Sequence, residues 1–279
     1  MSEKTLLITG ITSFTGRSYL NESSSLDYDV IIGQGSNSYF KFENGNLTEI
    51  KNAEYLKILS ESGEINLLHL ATFYSLNDED KNKIYEANVE FGKNILNLLK
   101  NYQLKKIVYT NSLFAFNKNL RIKNSDYVKT KLEFSKILNE FSLANKIFFK
   151  EIYLDNTFGH GDNRNKLLPI ILSSIVNNEP NPLQNPKNYI NLINIYDLIK
   201  TINSLMEIDN SIKFAIYSKN DFEIKSIYEF CKKYYQKNEL IKIKSKKTVI
   251  DEKIPTSIEK IEIDCDIQKL LTSTIKNIE

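Results

Sequence analysis

Apolar positions along this chain follow two alternating rhythms. Short, nearly unbroken apolar runs at 5–9, 29–33, 65–72, 106–112 and 146–154 read as strands buried on both faces. Between and after them come stretches with helical spacing, at 52–61, 81–100, 126–143, 166–177, 198–206 and 224–235. In 81–100 the inward set is Ile84, Ala87, Asn88, Phe91, Ile95, Leu98 and Leu99. The polar stretch 39–49 is expected to hold one short strand, with further short strands at 189–197 and 214–218. Residues 178–188 carry Pro180, Pro182 and Pro186 and read as loop, while the Lys-rich 242–279 shows no clear element. Alternating strands and helices predict an α/β fold, a doubly wound parallel sheet of the Rossmann type with a smaller C-terminal α/β unit. The expected division is 1–155 plus 189–213 for the first unit and 156–188 plus 214–279 for the second.

Composition narrows the partners. The 279 residues carry 37 basic and 35 acidic side chains, net charge +2, which gives no reason to expect nucleic acid or a membrane surface. Cys231 and Cys265 are the only cysteines, an expectation of a reducing, cytoplasmic setting and not of a disulfide scaffold. Met1–Lys4 runs straight into an apolar strand, so neither a signal peptide nor a membrane span is expected. His69 and His160 lie far from the cysteines in sequence, and no metal cluster is expected. A lone His69 on an apolar strand reads by default as a core histidine.

Candidate chemistry centres on Tyr127 and Lys131, four apart and so on one helix face. An ammonium beside a phenol pulls the phenol toward neutrality, making Tyr127 a candidate proton donor and acceptor. The same spacing recurs at Tyr102/Lys106, Tyr196/Lys200 and Tyr228/Lys232; only Tyr127 follows a strand, 106–112, that ends in hydroxyl residues and delivers Ser112. At the N-terminus, strand 5–9 runs into Gly10-Ile11-Thr12-Ser13-Phe14-Thr15-Gly16 and then a helix, the arrangement that cradles a pyrophosphate. Gly10 suits the tight turn and Gly16 the close helix–strand approach; Ser13 stands where a middle glycine is expected, and its Cβ narrows the approach. After the second strand come Gln34, Gly35, Ser36 and Asn37, with no acid to bind a ribose 2′-hydroxyl, which favours NADP(H) while leaving NAD(H) possible.

Together these residues resemble the extended short-chain dehydrogenases/reductases, also called the NAD-dependent epimerase/dehydratase family. The resemblance covers roughly 5–235. It rests on Thr9-Gly10-x-x-Ser13-Phe14-x-Gly16, His69-Leu70-Ala71-Thr72, Ala87-Asn88-Val89-Glu90-Phe91-Gly92, Ser112 with Tyr127 and Lys131, and Asn156-Thr157-Phe158-Gly159, in that order. Leu68–Thr72, Asn111–Phe114 and Gly159-x-Gly161-Asp162-x-x-Asn165-Lys166 resemble the CDP-abequose synthase-like nucleotide-sugar 4-ketoreductases. The resemblance implies reduction of the C4 ketone of a nucleotide-linked deoxy sugar in surface-polysaccharide biosynthesis, with C4 epimerisation on tightly bound NAD as the alternative. A dinucleotide-binding sensor without turnover is a third reading. A dehydratase is disfavoured because Leu113 and Phe114 follow Ser112 where that chemistry needs an acid and a base.

The implied roles are these. Tyr127 gives the proton, Lys131 holds the nicotinamide ribose, and Ser112 bonds the ketone oxygen. Gly10, Thr12, Ser13, Phe14, Gly16, Leu70, Ala71 and Thr72 line the cofactor in the first unit, the dinucleotide-binding domain. Asn156, Asn165, Lys166 and Leu167 meet the nucleotide sugar in the second, the substrate domain. A homodimer through helices 81–100 and 126–143 is also implied. Two arginines common in the family are replaced: Tyr153 stands before the Asn156 loop, and Ile190 and its neighbours, with Lys187 the nearest cation, stand before Asp197.

Overall fold

The computed structural model of the protein describes residues 3–22, 27–75, 78–117, 119, 122, 124–248 and 254–276. These fall into two units, one within 1–154, 199–215 and 251–259, the other within 155–198, 216–250 and 260–279.

In the first unit the apolar runs become β1 (Glu3–Thr9), β2 (Val30–Gln34), β5 (Ser62–His69), β6 (Leu104–Ser112) and β7 (Phe148–Leu154). β2, β1, β5, β6 and β7 lie side by side in parallel, with Leu7 in register with Ile32 and Leu67. Leu6, Leu7 and Ile8 are wholly buried, which is why no alternation shows in their sequence. The connections are α1 (Phe14–Asn21), α2 (Asn52–Glu61), a composite α3 and the long α4 (Ser125–Asn145). α3 runs Lys81–Tyr85, a π turn at Glu86–Glu90, then Phe91–Leu99. α3 and α4 pack closely: a Cβ on Gly92 would lie 2.1 Å from the Phe134 ring.

The stretch expected to hold one strand folds as two, β3 (Tyr39–Glu43) and β4 (Asn46–Ile50), paired antiparallel on the edge of β2. Asn44 (φ 51°) and Gly45 (φ 77°) are both left-handed, the tight hairpin turn that an Asn-Gly pair favours. β5 stops at His69, three residues short of the expected end, and the chain leaves the ladder as Leu70 N donates to Thr9 O.

The second unit holds the sheet β12-β11-β9-β8, made of β8 (Asn156–Phe158), β9 (Tyr189–Asn194), β11 (Asn220–Glu223) and β12 (Ser245–Lys247). The sequence reading grouped 189–213 with the first unit. β9 pairs with β8 and β11, so 189–198 cluster here, and 199–215 lie in the first unit. α6 (Ile195–Glu207) starts earlier than the apolar pattern suggests, because Asn194 Oδ1 accepts Tyr196 N at 3.0 Å and opens the helix. α5 (Leu167–Val176), α7 (Ile224–Lys237) and α8 (Ile267–Lys276) bury Ile171, Phe230 and Leu271 among themselves. α8 and β13 (Glu259–Ile263) lie in the tail that the sequence left unassigned, and β10 (Ile212–Ser218) precedes β11. Among the described residues no helix is long and apolar enough to cross a membrane, and no group of three or more His, Cys, Asp or Glu could hold a metal ion.

Candidate active site

The turn after β1 is built from close backbone contacts. Gly10 has φ +69°, and a Cβ there would sit 2.9 Å from Ala71 N; a Cβ on Gly16 would sit 2.4 Å from Gly10 O. Ser13 needs no glycine: its φ is −70°, its main chain donates to Gly10 O at 2.9 Å, and its Oγ accepts Gly16 N at 3.1 Å, capping α1. The expected narrowing by Ser13 thus comes with a cap. Thr12 and Ser13 are exposed on this turn at the start of a helix, a surface that fits a phosphate group. Phe14 and Leu70 are each 5 % exposed, so neither side chain offers much surface at this turn.

Thr9 ties this turn to β5. Its Oγ1 accepts Ala71 N at 3.3 Å and shares a hydrogen bond of 3.0 Å with His69 Nδ1. Nε2 has no hydrogen-bond partner among the described residues and is ringed by Phe91, Tyr109 and Phe134. Burial first, and then the Lys131 charge, push the His69 pKa down to about 3, so the ring is neutral.

The loop after β5 is held by a residue to which the sequence reading gave no role. The π turn of α3 points Asn88 (1 % exposed) at it: Asn88 Oδ1 accepts Phe73 N at 2.7 Å and Thr72 Oγ1 at 3.1 Å, while Nδ2 donates to Phe73 O at 3.0 Å and Thr130 Oγ1 at 3.2 Å. Single π turns inside helices concentrate at functional sites. In the sequence, Asn88 stands out only as a polar member of the inward set of 81–100 and as part of the stretch 87–92.

Tyr127 lies on the first turn of α4, half-buried, its ring edge-on to Tyr74 at 5.1 Å. Thr72 hydrogen-bonds its side chain, but burial dominates and pushes the Tyr127 pKa up to about 12. This differs from the expected phenol primed toward neutrality. Lys131, one turn on, is 2 % exposed, and its Nζ lies 4.3 Å above the Tyr109 ring. Burial lowers the Lys131 pKa to about 7, partly opposed by the Glu151 charge, so the amine itself surrenders part of the charge meant to act on Tyr127. Tyr109 OH donates to Lys131 O at 3.1 Å, fixing α4 on β6. Ser112 (7 % exposed) closes β6, and its Oγ accepts Phe114 N at 3.2 Å. Ser112, Tyr127, Lys131 and the cofactor turn all belong to the first unit.

In the second unit Asn156 donates through N (2.8 Å) and Nδ2 (2.6 Å) to Asp155 Oδ1. Burial, with Asp221 nearby, raises the Asp155 pKa to about 7. Arg164 is a cation that the sequence pattern does not single out. Its guanidinium donates to Asp162 at 2.7 and 2.8 Å and to Thr157 O at 2.7 Å, tying the two ends of the 157–164 loop together. Lys166 precedes α5, its pKa lowered to about 8 by burial and by Arg164. Leu167 is half-buried. Exposed Asn165, with Gly159–Arg164 and the α5 face, lines a cavity of about 830 Å³.

The chain is similar to several known proteins. CDP-abequose synthase from Salmonella muenchen is 26 % identical over 181 residues, 63 % of this chain and 61 % of that protein. CDP-abequose synthase from Salmonella typhimurium is 29 % identical over 116 residues, 41 % of this chain and 38 % of that one. The matches thus span less than two thirds of these relatives' length. The fold is that of UDP-glucose 4-epimerase from Thermotoga maritima, solved with UDP-glucose (TM-score 0.73, 15 % identity, 99 % of this chain and 100 % of that one). Residues 6–216 match the model of the NAD dependent epimerase/dehydratase family, and the chain belongs to that family.

Proposed function

We propose that this protein is an NADPH-dependent reductase of the C4 ketone of a nucleotide-linked deoxy sugar. A nicotinamide cofactor, when bound, would supply the hydride. Tyr127 supplies the proton to the carbonyl oxygen, Ser112 donates a hydrogen bond to that oxygen as charge develops on it, and Lys131 holds the cofactor ribose. Likeness to CDP-abequose synthase supports the substrate class. That likeness is also the observation that carries the direction, since Tyr127 could serve either reaction: epimerisation begins by removing a proton and reduction ends by giving one. Asn156, Asn165, Lys166 and Leu167 are assigned to the nucleotide sugar, NADP(H) is favoured over NAD(H) by the acid-free lip after β2, and the assembly is a homodimer.

The test uses purified protein, a 4-keto nucleotide sugar and NADPH. Consumption of NADPH supports the reductase, with Tyr127→Phe abolishing turnover while cofactor affinity stays near that of the parent. Oxidised cofactor that survives gel filtration, with interconversion of C4 epimers and no net NADPH use, would replace this reading by epimerisation. Binding without any turnover would leave a sensor.

A further inference from the structure

Beneath Ser112 and Lys131 lies a wholly buried carboxylate that the roles above do not use. Glu151 is on β7, 0 % exposed, on the sheet face that carries α4. Its Oε1 accepts Asn111 Nδ2 at 2.7 Å, and Asn111 Oδ1 in turn accepts the Ser112 main-chain N at 2.8 Å. Its Oε2 lies 2.8 Å from Lys213 Nζ on β10, off the hydrogen-bonding direction. A bare carboxylate in this setting is costly unless each lobe meets a partner or a charge.

We propose that Glu151 is a positioning residue for the reaction: through the Asn111 amide it fixes the strand end that bears Ser112. The proposal rests on the reading that Ser112 works at the ketone. Asn111 has its amide orientation set by Glu151, since only Nδ2 can donate to a carboxylate, and this turns Oδ1 toward the Ser112 amide. The strand end bearing the Ser112 hydroxyl is thereby held from below. Glu151 itself faces Tyr109 and Asn111 on β6, Tyr153 on its own strand, Lys131 on α4 and Lys213 on β10.

Amide exchange of the Ser112 N–H, which Asn111 Oδ1 accepts, reads this support without any sugar substrate, so it is separable from the choice of reductase. Glu151→Leu and Asn111→Ala should each speed that exchange and, with a 4-keto sugar, lower kcat about tenfold or more while NADPH affinity stays within about twofold. Glu151→Gln, whose amide oxygen still accepts Asn111 Nδ2, should keep kcat within a few fold of the parent. In a Ser112→Ala background Glu151→Leu should add little to the loss. A folded Asn111→Ala with the parent's Ser112 exchange and kcat overturns the proposal, and so does a fully additive loss in the Ser112→Ala background. Faster Ser112 exchange together with no reduction of any 4-keto sugar would uphold the role of Glu151 toward Ser112 and sink the reductase reading.

Discussion

Replacing Lys131 by Met should stabilise the fold while destroying the reaction, and the gain should shrink as pH rises. Free lysine keeps its proton up to 10.5, whereas burial brings Lys131 to about 7 in the folded chain. Between those values the unfolded chain binds more protons than the folded one, so this residue makes unfolding harder as pH climbs. Put the other way, the cost of burying the ammonium is greatest below pH 7 and is gone above 10.5. A displacement of about 3.5 units at 1.36 kcal/mol each sets a ceiling of about 5 kcal/mol at acid pH, and relaxation of the surroundings brings the expected figure to roughly 2–4 kcal/mol.

The pH dependence is the sharper quantity. From pH 6 to pH 9 the same linkage removes up to about 2–3 kcal/mol of the difference between the parent and Lys131→Met. Lys150 and Lys166, each lowered to about 8, tilt the stability curve in the same direction but are present in both proteins and cancel. Buried tyrosines such as Tyr127 titrate above this window. Urea unfolding at closely spaced pH values gives both curves. The lost contact with the Tyr109 ring offsets the gain by about 1–2 kcal/mol at every pH where the amine is charged. A gap between the two proteins that stays constant from pH 6 to pH 9 would refute the argument, because it would mean that Lys131 titrates alike folded and unfolded.

Three further outcomes follow from the same contacts. Gly16→Ala puts a methyl 2.4 Å from Gly10 O, a main-chain atom that no rotamer change can clear, so α1 must back away from β1; the expected cost is about 1–3 kcal/mol in unfolding with loss of NADPH binding in a fluorescence titration. Asn88→Ala strips the bonds to Thr72, Phe73 and Thr130 and leaves the Phe73 N–H unpaired, which should lower stability by about 2–4 kcal/mol and speed amide exchange in 70–74. Lys150→Met leaves the carbonyls of Ile208 and Asn210 without their donor, so in urea unfolding at pH 7 it should destabilise by about 1–3 kcal/mol, the sign opposite to that for Lys131→Met.

The parallel sheet was legible because β1, β5, β6 and β7 are buried on both faces, so their apolar residues run together and leave an unmistakable trace. The β3–β4 hairpin was less so, since it lies at the sheet edge, where Tyr39–Glu43 and Asn46–Ile50 are partly exposed and only the Asn44-Gly45 turn marks the reversal. β12 and β13 are short and mostly exposed, and α8 shows its apolar face only once Leu271 and Ile275 are known to be covered. At the candidate site, spacing could place Tyr127 and Lys131 on one helix face. It could not show that the amine turns to the Tyr109 ring and that burial raises the phenol's pKa. Spacing reports which side chains share a face; the electrostatic outcome depends on Glu151, Tyr109 and His69, which arrive from three other strands.

Burial alone does not mark Lys131, because the first unit buries other lysines as deeply. Lys150 is wholly buried, but its ammonium donates to the carbonyls of Ile208 and Asn210, and Lys106, 3 % exposed, meets Met206 O and the Asp209 carboxylate at 2.9 Å. Those charges cap the C-terminal end of α6 and the turn beyond it, where carbonyls are left over by the helix. Lys131 has no such acceptor among the described residues; it rests on a π face with Glu151 as its distant counter-charge. An ammonium held so deep without protein acceptors lowers its own pKa and weakens the fold, and a structural lysine gains nothing from that arrangement. Under the function proposed above, the hydroxyls of the cofactor ribose would supply the acceptors that the protein withholds, on the helix face shared by Tyr127 and Lys131.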